Sequence, residues 1–356
     1  MSRFLSPKYA DLTPYTPGEQ PPAGRYIKLN TNESPFAPPA DVLARAAELT
    51  RPGNLYCDVT CAELREALAA VTGAAPGQLL VTNGSDEILS YAFMAFCDDR
   101  APALFPDVTY GFYSVFAAIH RVPWEEIPLR EDFSICVDDY IGRPGTVFLA
   151  NPNAPTGLLL PRGEIERLLR ADPDRVVVVD EAYIDFGGGG ESCLPLIGQY
   201  PNLLVTRTFS KSRSMAGVRL GFGAACEDLI ADLNAMKFSL NPYNVSSPDQ
   251  ALGRAMLERE DLTAANCAEI VRNRTLAAGA LREMGFFVTE SWANFLFVRT
   301  DAMSGEGIFD ALKERGILVR HFSGPRISDY NRITIGTRQQ TEALIAALRD
   351  ILSQEG

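Results

Sequence analysis

Histidine is almost missing from this chain. Only His120 and His321 occur in 356 residues, which excludes a histidine-rich metal site and leaves little material for a Ser-His-Asp triad. Lysine is scarce as well: Lys8, Lys28, Lys211, Lys237 and Lys313 are the five among 33 basic residues. Any chemistry that needs an amine therefore has few candidates. The seven cysteines are an odd number scattered along the chain, so a disulfide framework is not expected. Cys57 and Cys61 are spaced C-x-x-x-C with no second pair, and no metal site is expected. No stretch approaches the roughly 18 apolar residues of a membrane span, and no basic segment followed by an apolar run reads as a signal. A cytoplasmic protein with no membrane partner is expected. The net charge of −12 argues against a nucleic-acid partner but permits local basic pockets for small anions.

What is present is a large apolar complement, 46% of residues, enough to bury a substantial core. Residues 1–29 are broken by Pro14, Pro17, Gly18, Pro21, Pro22 and Gly24 and read as an arm. Thr60 and Glu63 form a capping-box pattern before a helix with Leu64, Leu68 and Val71 on one face. Leu79–Thr82 reads as a strand, 83–87 as a turn, and Ile88, Ala92, Ala95 and Phe96 as a helix face. Strands at 103–105, 146–150, 176–179 and 203–205 alternate with helices at 113–119 and 164–169. Such alternation predicts a mainly parallel sheet between helices, with ligands outside the carboxyl ends of its strands. Residues 246–284 read as long helical structure. Strands at 294–298, 317–319 and 332–335 follow, with a helix at 308–315 and a last helix capped by Thr337 and Gln340. The expected organisation is an arm (1–29), a large α/β domain (30–245) and a smaller α+β domain (246–356).

Polar residues collect at four strand ends. After Leu79–Thr82 come Gly84, Ser85 and Asp86, where a helix N-terminus offers unpaired N–H groups to an anion. Asn153 follows the third strand. Asp180 and Tyr183 follow four valines. Ser210, Lys211 and Arg219 follow Leu203–Val205. A lysine amine between serines, a hydroxyl and an arginine for a dianion, and a buried acid together match one cofactor, pyridoxal 5′-phosphate. Taken singly, each has an ordinary structural reading: a helix cap at Ser85, a turn cap at Asp180, surface charges at Arg320 and Arg332.

The run of motifs NGSDE, PNAPTG, VVVVDEAY, TFSKSRSMAGVRLG, LVRHFS and RITIGTR, with LTPY and LNTNESPF near the start, resembles the fold-type I pyridoxal phosphate transferases, specifically the histidinol-phosphate aminotransferase family. The likeness spans essentially the whole chain. It implies that Lys211 forms the Schiff base, that Asp180 pairs with the ring nitrogen, and that Tyr183 contacts the ring oxygen. It also implies that Tyr110 stacks on the ring while Gly84, Ser85, Asp86, Ser210 and Arg219 hold the phosphate. Tyr56 would reach the neighbouring subunit's cofactor in a homodimer. Arg320 and Arg332 would take the anionic ends of an amino donor and a 2-oxo acid, with Tyr15 and Asn32 closing the pocket. The family has Asn immediately before Pro-Thr-Gly. Here that residue is Ala154, and Asn153 is offset by one.

The implied reaction is ping-pong transfer from L-histidinol phosphate to 2-oxoglutarate, giving imidazole acetol phosphate and L-glutamate. An aromatic amino acid aminotransferase and a threonine-phosphate decarboxylase share the cofactor frame and stay open as alternatives. A non-catalytic, cofactor-sensing regulator would need an appended DNA-binding segment, for which the arm is too short and proline-rich.

Overall fold

A computed structural model of the chain describes residues 3–22 and 24–355. Residues 1, 2 and 23 of the expected arm and residue 356 of the expected small domain lie outside the described residues. The arm runs into β1 (Ile27–Lys28), followed by α1 (Ala40–Leu49), α2 (Ala62–Thr72), β2 (Leu79–Thr82), α3 (Ser85–Phe96), β3 (Ala103–Pro106), α4 (Phe112–His120) and β4 (Trp124–Ile127). Next come β5 (Thr146–Ala150), α5 (Arg162–Ala171), β6 (Val177–Asp180), β7 (Leu203–Thr208), β8 (Gly221–Ala225), α6 (Glu227–Leu240), α7 (Ser247–Leu257) and α8 (Glu260–Glu283). The chain ends with β9 (Phe287–Val288), β10 (Phe295–Arg299), α9 (Gly305–Glu314), β11 (Ile317–Leu318), β12 (Arg320–His321), β13 (Asn331–Thr334) and α10 (Arg338–Glu355).

Seven strands form one sheet in the order β2-β8-β7-β6-β5-β3-β4, parallel except for β8, which runs antiparallel to both neighbours. The valine run explains why this sheet is covered on both faces: Val177 and Val179 enter one hydrophobic cluster and Val178 the other. Leu203, Val205 and Leu204 divide the same way on β7, as period-two alternation requires when neither face meets water. A second, antiparallel sheet of order β12-β13-β10-β9 packs with α8, α9 and α10 around a separate core, and β1 joins β11 in a two-stranded parallel pair. The arm is thereby stitched to the smaller layer.

Several expectations change. The capping box at Thr60 and Glu63 does not form. Asp58 instead accepts hydrogen bonds from Thr60 N at 2.8 Å and Ala62 N at 2.9 Å, and the helix starts at Ala62 behind a left-handed Cys61. A carboxylate placed four residues ahead of Ala62 thus takes the first orphan N–H of the helix. The box at the last helix does form, with Gln340 N donating to Thr337 Oγ1 at 3.2 Å and Thr337 N to Gln340 Oε1 at 2.9 Å. The stretch 246–284 is two helices, not one. Of these, α7 packs on α1 and α2 and adds Ala255, Met256 and Leu257 to the large sheet's core, so the smaller layer's packing begins at α8. Strands β4 and β8 and helix α6 were not anticipated.

Candidate active site

The carboxyl ends of β6 and β7 set the centre of the cleft. Asp180 closes β6 and lies in register with Thr206 on β7, whose hydroxyl donates to Asp180 Oδ1 at 3.1 Å. Burial pushes the Asp180 carboxyl up to about 7; the charge of Asp86 adds to the rise and the Thr206 hydrogen bond opposes it. Among the described residues no Lys, Arg or His forms an ion pair with Asp180. A buried carboxylate without a cation is destabilising by several kcal/mol in order of magnitude, so Asp180 either keeps its proton or meets a cation that the protein itself does not supply.

Lys211 sits on the connection between β7 and β8. That connection is closed by Phe209 N donating to Leu220 O at 2.9 Å and Met215 N to Phe209 O at 3.0 Å. The Lys211 amine reaches the Thr31 carbonyl at 3.4 Å and lies 5.8 Å from the centroid of the Tyr183 ring. The loop is braced from behind. The Ser212 hydroxyl donates to Asp185 Oδ2 at 2.5 Å, and Arg207 pairs with Asp185 at 3.0 Å and with Glu181 at 2.9 Å. Burial alone would raise the Asp185 carboxyl, but the guanidinium groups of Arg207 and Arg213 hold it below the usual range. This charged bracket ties the segments that carry Asp180, Tyr183 and Lys211 to one another.

The far wall is suited to an anion. Gly84 (φ +76°) turns the chain into α3, whose first residue is Ser85, and the first-turn N–H groups of a helix lack intrahelical partners. Arg219 donates to Ser210 Oγ at 3.2 Å and pairs with Asp86 at 3.2 Å, while the Tyr110 hydroxyl donates to the other Asp86 oxygen at 2.7 Å. Burial, with the Asp86 charge second, drives the Tyr110 phenol well above its ordinary value, so it stays a hydrogen-bond donor. Gly221 allows β8 to approach this turn: a Cβ there would lie 2.5 Å from Gly84 C and 2.6 Å from Ser85 N. Both are backbone atoms and cannot step aside. Gly221→Ala is therefore expected to lower stability by about 1–3 kcal/mol and to weaken cofactor binding at least about tenfold, measured by thermal melting and by titration of the apoprotein.

A cavity of about 260 Å³ contains these groups, and a second of about 320 Å³ adjoins it across Tyr110, Ala154, Tyr183 and Lys211. The second chamber holds Tyr15, Asn32, Arg320 and Arg332. Tyr15 stacks on Phe112 with centroids 4.2 Å apart. Arg320 holds the arm in place through the carbonyls of Thr16 at 3.2 Å and Pro17 at 3.4 Å. Arg332 donates to the Asn30 carbonyl at 3.1 Å, while its Nε has no protein partner. Burial, with Arg320 adding to it, pushes the Arg332 guanidinium below its ordinary value, the condition in which an entering anion gains most.

Two expected residues are elsewhere. Asn153 does not face the cleft. Its Nδ2 donates to Val108 O at 2.9 Å and to Thr156 Oγ1 at 3.1 Å, and its Oδ1 accepts from Thr109 at 2.7 Å. The amide is consumed in holding its own turn, and apolar Ala154 lines the cavity in its place. Tyr56 is 80% exposed and stacks on Tyr243 at 4.3 Å, away from the cleft of its own chain. Sequence reasoning passed over Thr31, Thr206 and Glu33. Thr206 carried a signal, since a residue paired across a parallel ladder from Asp180 must lie beside it. Thr31 and Glu33 carried none beyond their place in LNTNESPF.

The sequence profile of the family described as "Aminotransferase class I and II" matches residues 25–348. This chain belongs to that family. The aminotransferase is 45% identical to histidinol-phosphate aminotransferase 2 of Thiobacillus denitrificans over 98% of each chain, and 46% identical to histidinol-phosphate aminotransferase 2 of Gluconobacter oxydans over 99% of each. In structure it resembles a histidinol-phosphate aminotransferase from Sinorhizobium meliloti solved with pyridoxal-5'-phosphate. That likeness has a TM-score of 0.84 at 24% identity and covers 93% of this chain and 92% of that one. A putative aminotransferase from Burkholderia pseudomallei gives a TM-score of 0.79 at 28% identity over 93% and 99%. The aminotransferase fold thus accounts for the mainly parallel sheet and for a cleft at its carboxyl edge. Among the described residues, no helix is long and apolar enough to cross a membrane.

Proposed function

We propose that this aminotransferase moves the amino group of L-histidinol phosphate to 2-oxoglutarate with pyridoxal 5′-phosphate as cofactor, in the cytoplasm, as a step of histidine biosynthesis. The observation that carries the cofactor is the buried Asp180 carboxylate, which has no protein cation and opens on the same cavity as the Lys211 amine. The residues present fit the group. Asp180 would face its ring nitrogen, Tyr183 its ring oxygen and Tyr110 its face, while Ser210, Arg219 and the N–H groups of Ser85 and Asp86 behind Gly84 would take its phosphate. When bound, it supplies an electron-withdrawing ring that stabilises negative charge at the substrate Cα.

The chain's own groups do the rest. The Lys211 amine is the group that would hold the cofactor's aldehyde carbon, and when free it would take the proton from the substrate Cα. The Asp185 and Ser212 contacts fix the loop from which that amine extends. Arg332 and Arg320 bind the anionic end of whichever substrate is present. A guanidinium accommodates the phosphate of one and the carboxylate of the other through the same paired N–H groups. Tyr15 closes the chamber from the arm.

A homodimer completes the site. Leu55 and Tyr56 are 65% and 80% exposed, and Phe238, Leu240 and Tyr243 are exposed as well, an apolar set that a second copy covers while bringing Tyr56 to the neighbouring phosphate. We divide the chain into the arm, a large domain that takes in α7, and a small domain from α8 onward.

Initial rates with L-histidinol phosphate, L-phenylalanine and L-threonine phosphate decide among the substrates. The first is expected to exceed the others in kcat/KM by at least about tenfold, the factor that about 1.4 kcal/mol of differing contact energy sets. Carbon dioxide release from threonine phosphate, or a preference for phenylalanine, would sink this choice while leaving the cofactor in place.

A further inference from the structure

Three consecutive residues between the arm and the large sheet each meet a different part of the cleft. The Asn30 carbonyl accepts from Arg332, the Thr31 carbonyl from Lys211, and the Asn32 amide donates to the Tyr183 hydroxyl at 3.0 Å. The resemblance places Asn32 among the substrate-closing residues, yet it is 1% exposed and its polar atoms are committed. Its backbone N–H donates to Thr334 Oγ1 at 2.9 Å, Thr334 Oγ1 donates to its Oδ1 at 3.0 Å, and Asn294 Nδ2 donates to its carbonyl at 3.0 Å.

These contacts set the direction of the hydrogen bonds that run from Thr334 through Asn32 to Tyr183. Thr334 Oγ1 already accepts from the Asn32 backbone, so its own proton goes to Asn32 Oδ1. Turning the amide over would leave that proton without an acceptor in the cluster. Nδ2 therefore faces Tyr183, and an amide nitrogen only donates. Tyr183 Oη must accept, which leaves its single proton free to point into the cleft. The arrangement is held at some expense: Asn32 has φ +57°, a left-handed conformation that is uncommon outside glycine and that collects at functional positions.

We propose that Asn32 is a positioning residue that, locked by Thr334, aims the Tyr183 hydroxyl proton into the cleft. The proposal rests on the pyridoxal phosphate reading, in which that proton meets the cofactor's ring oxygen. It links the two layers directly, because Thr334 lies two residues along β13 from Arg332, on the same face of the strand. The strand that receives the substrate anion is thus the strand that orients Tyr183.

The test is a double-mutant cycle on the loaded enzyme, read as the pH midpoint of its visible absorbance. Asn32→Gly removes the amide while retaining a residue at ease with positive φ. Without the aimed proton, the ring oxygen stays more negative and holds its neighbouring proton more tightly, so the midpoint rises by about one pH unit. Tyr183→Phe is expected to give a similar rise, and the double variant no further rise, since one residue acts through the other. Equal and additive shifts, or an Asn32→Gly midpoint matching the parent, would overturn the proposal. Should Asn32→Gly fail to fold, Thr334→Val, which unlocks the amide but retains it, carries the test. It is expected to shift the midpoint in the same direction, and no shift counts against the proposal. A parent protein that develops no visible band with added pyridoxal phosphate would instead defeat the reading of the cleft.

Discussion

Lys211→Ala is expected to abolish transamination, with kcat reduced by at least about 10⁴-fold, although the folded protein still binds the cofactor noncovalently. The size of the loss follows from the double use of one amine. In the proposed reaction Lys211 would both anchor the cofactor and move the Cα proton, and among the residues of the two chambers it is the sole lysine. Borohydride reduction of the parent followed by peptide mapping checks the assignment independently of rate. The label should fall on the peptide containing Lys211, and a label at Lys28 or Lys237 would displace it from the mechanism. Lys237 is a poor substitute on structural grounds, since it is buried with its amine bonded to the Val59 carbonyl at 2.6 Å. Lys28 is held in an ion pair with Glu33.

The second large effect is one of sign. The Asp180 carboxyl titrates near 3.8 in the ordinary state and is raised to about 7 in the fold. Between those values the native apoprotein holds a proton that the unfolded chain has lost, so apoprotein stability falls as pH rises from about 4 toward 7 and levels off above. The full effect is at most on the order of 4 kcal/mol. Asp180→Asn removes this titration. The variant apoprotein is expected to melt above the parent apoprotein at pH 8, with the difference vanishing near pH 4. With cofactor bound the order reverses. The ring cation compensates the parent's carboxylate, while the neutral amide cannot keep the ring nitrogen protonated, and kcat falls by a few orders of magnitude. Melting curves of both proteins, with and without pyridoxal phosphate, at several pH values provide the check. An apoprotein pair that melts alike at every pH would show that Asp180 is not the uncompensated charge.

Which parts of this were legible beforehand follows from what each part depends on. Four valines ending in an acid announce a strand buried on both faces with a charge at its carboxyl end, and Asp180 is found there. Lys211 was legible through scarcity and through its serine neighbours. Strand β4 was missed because Trp124, Glu125 and Glu126 are exposed on a sheet edge, where no apolar run marks a strand. Strand β8 was missed because its sequence GFGAA has low strand propensity; its glycines are needed for close approach and not for extension. Asn153 and Asn32 show the limit most clearly. Both are amides next to the cleft, and one residue of offset together with local hydrogen bonding turned the first away. The second owes its proposed role to a left-handed backbone and to a partner, Thr334, 302 residues along the chain, a relation that no local pattern encodes.

Strand β8 has one more consequence. Because it lies beside β7 in the chain as well as in the sheet, Lys211 is carried by a hairpin, whereas Asp180 and Tyr183 arrive by way of a helical crossover from β5. Contacts across a hairpin close small loops and carry little entropic penalty. The lysine loop therefore closes within the one contiguous stretch 203–225, while Asp180 and Tyr183 depend on a longer crossover.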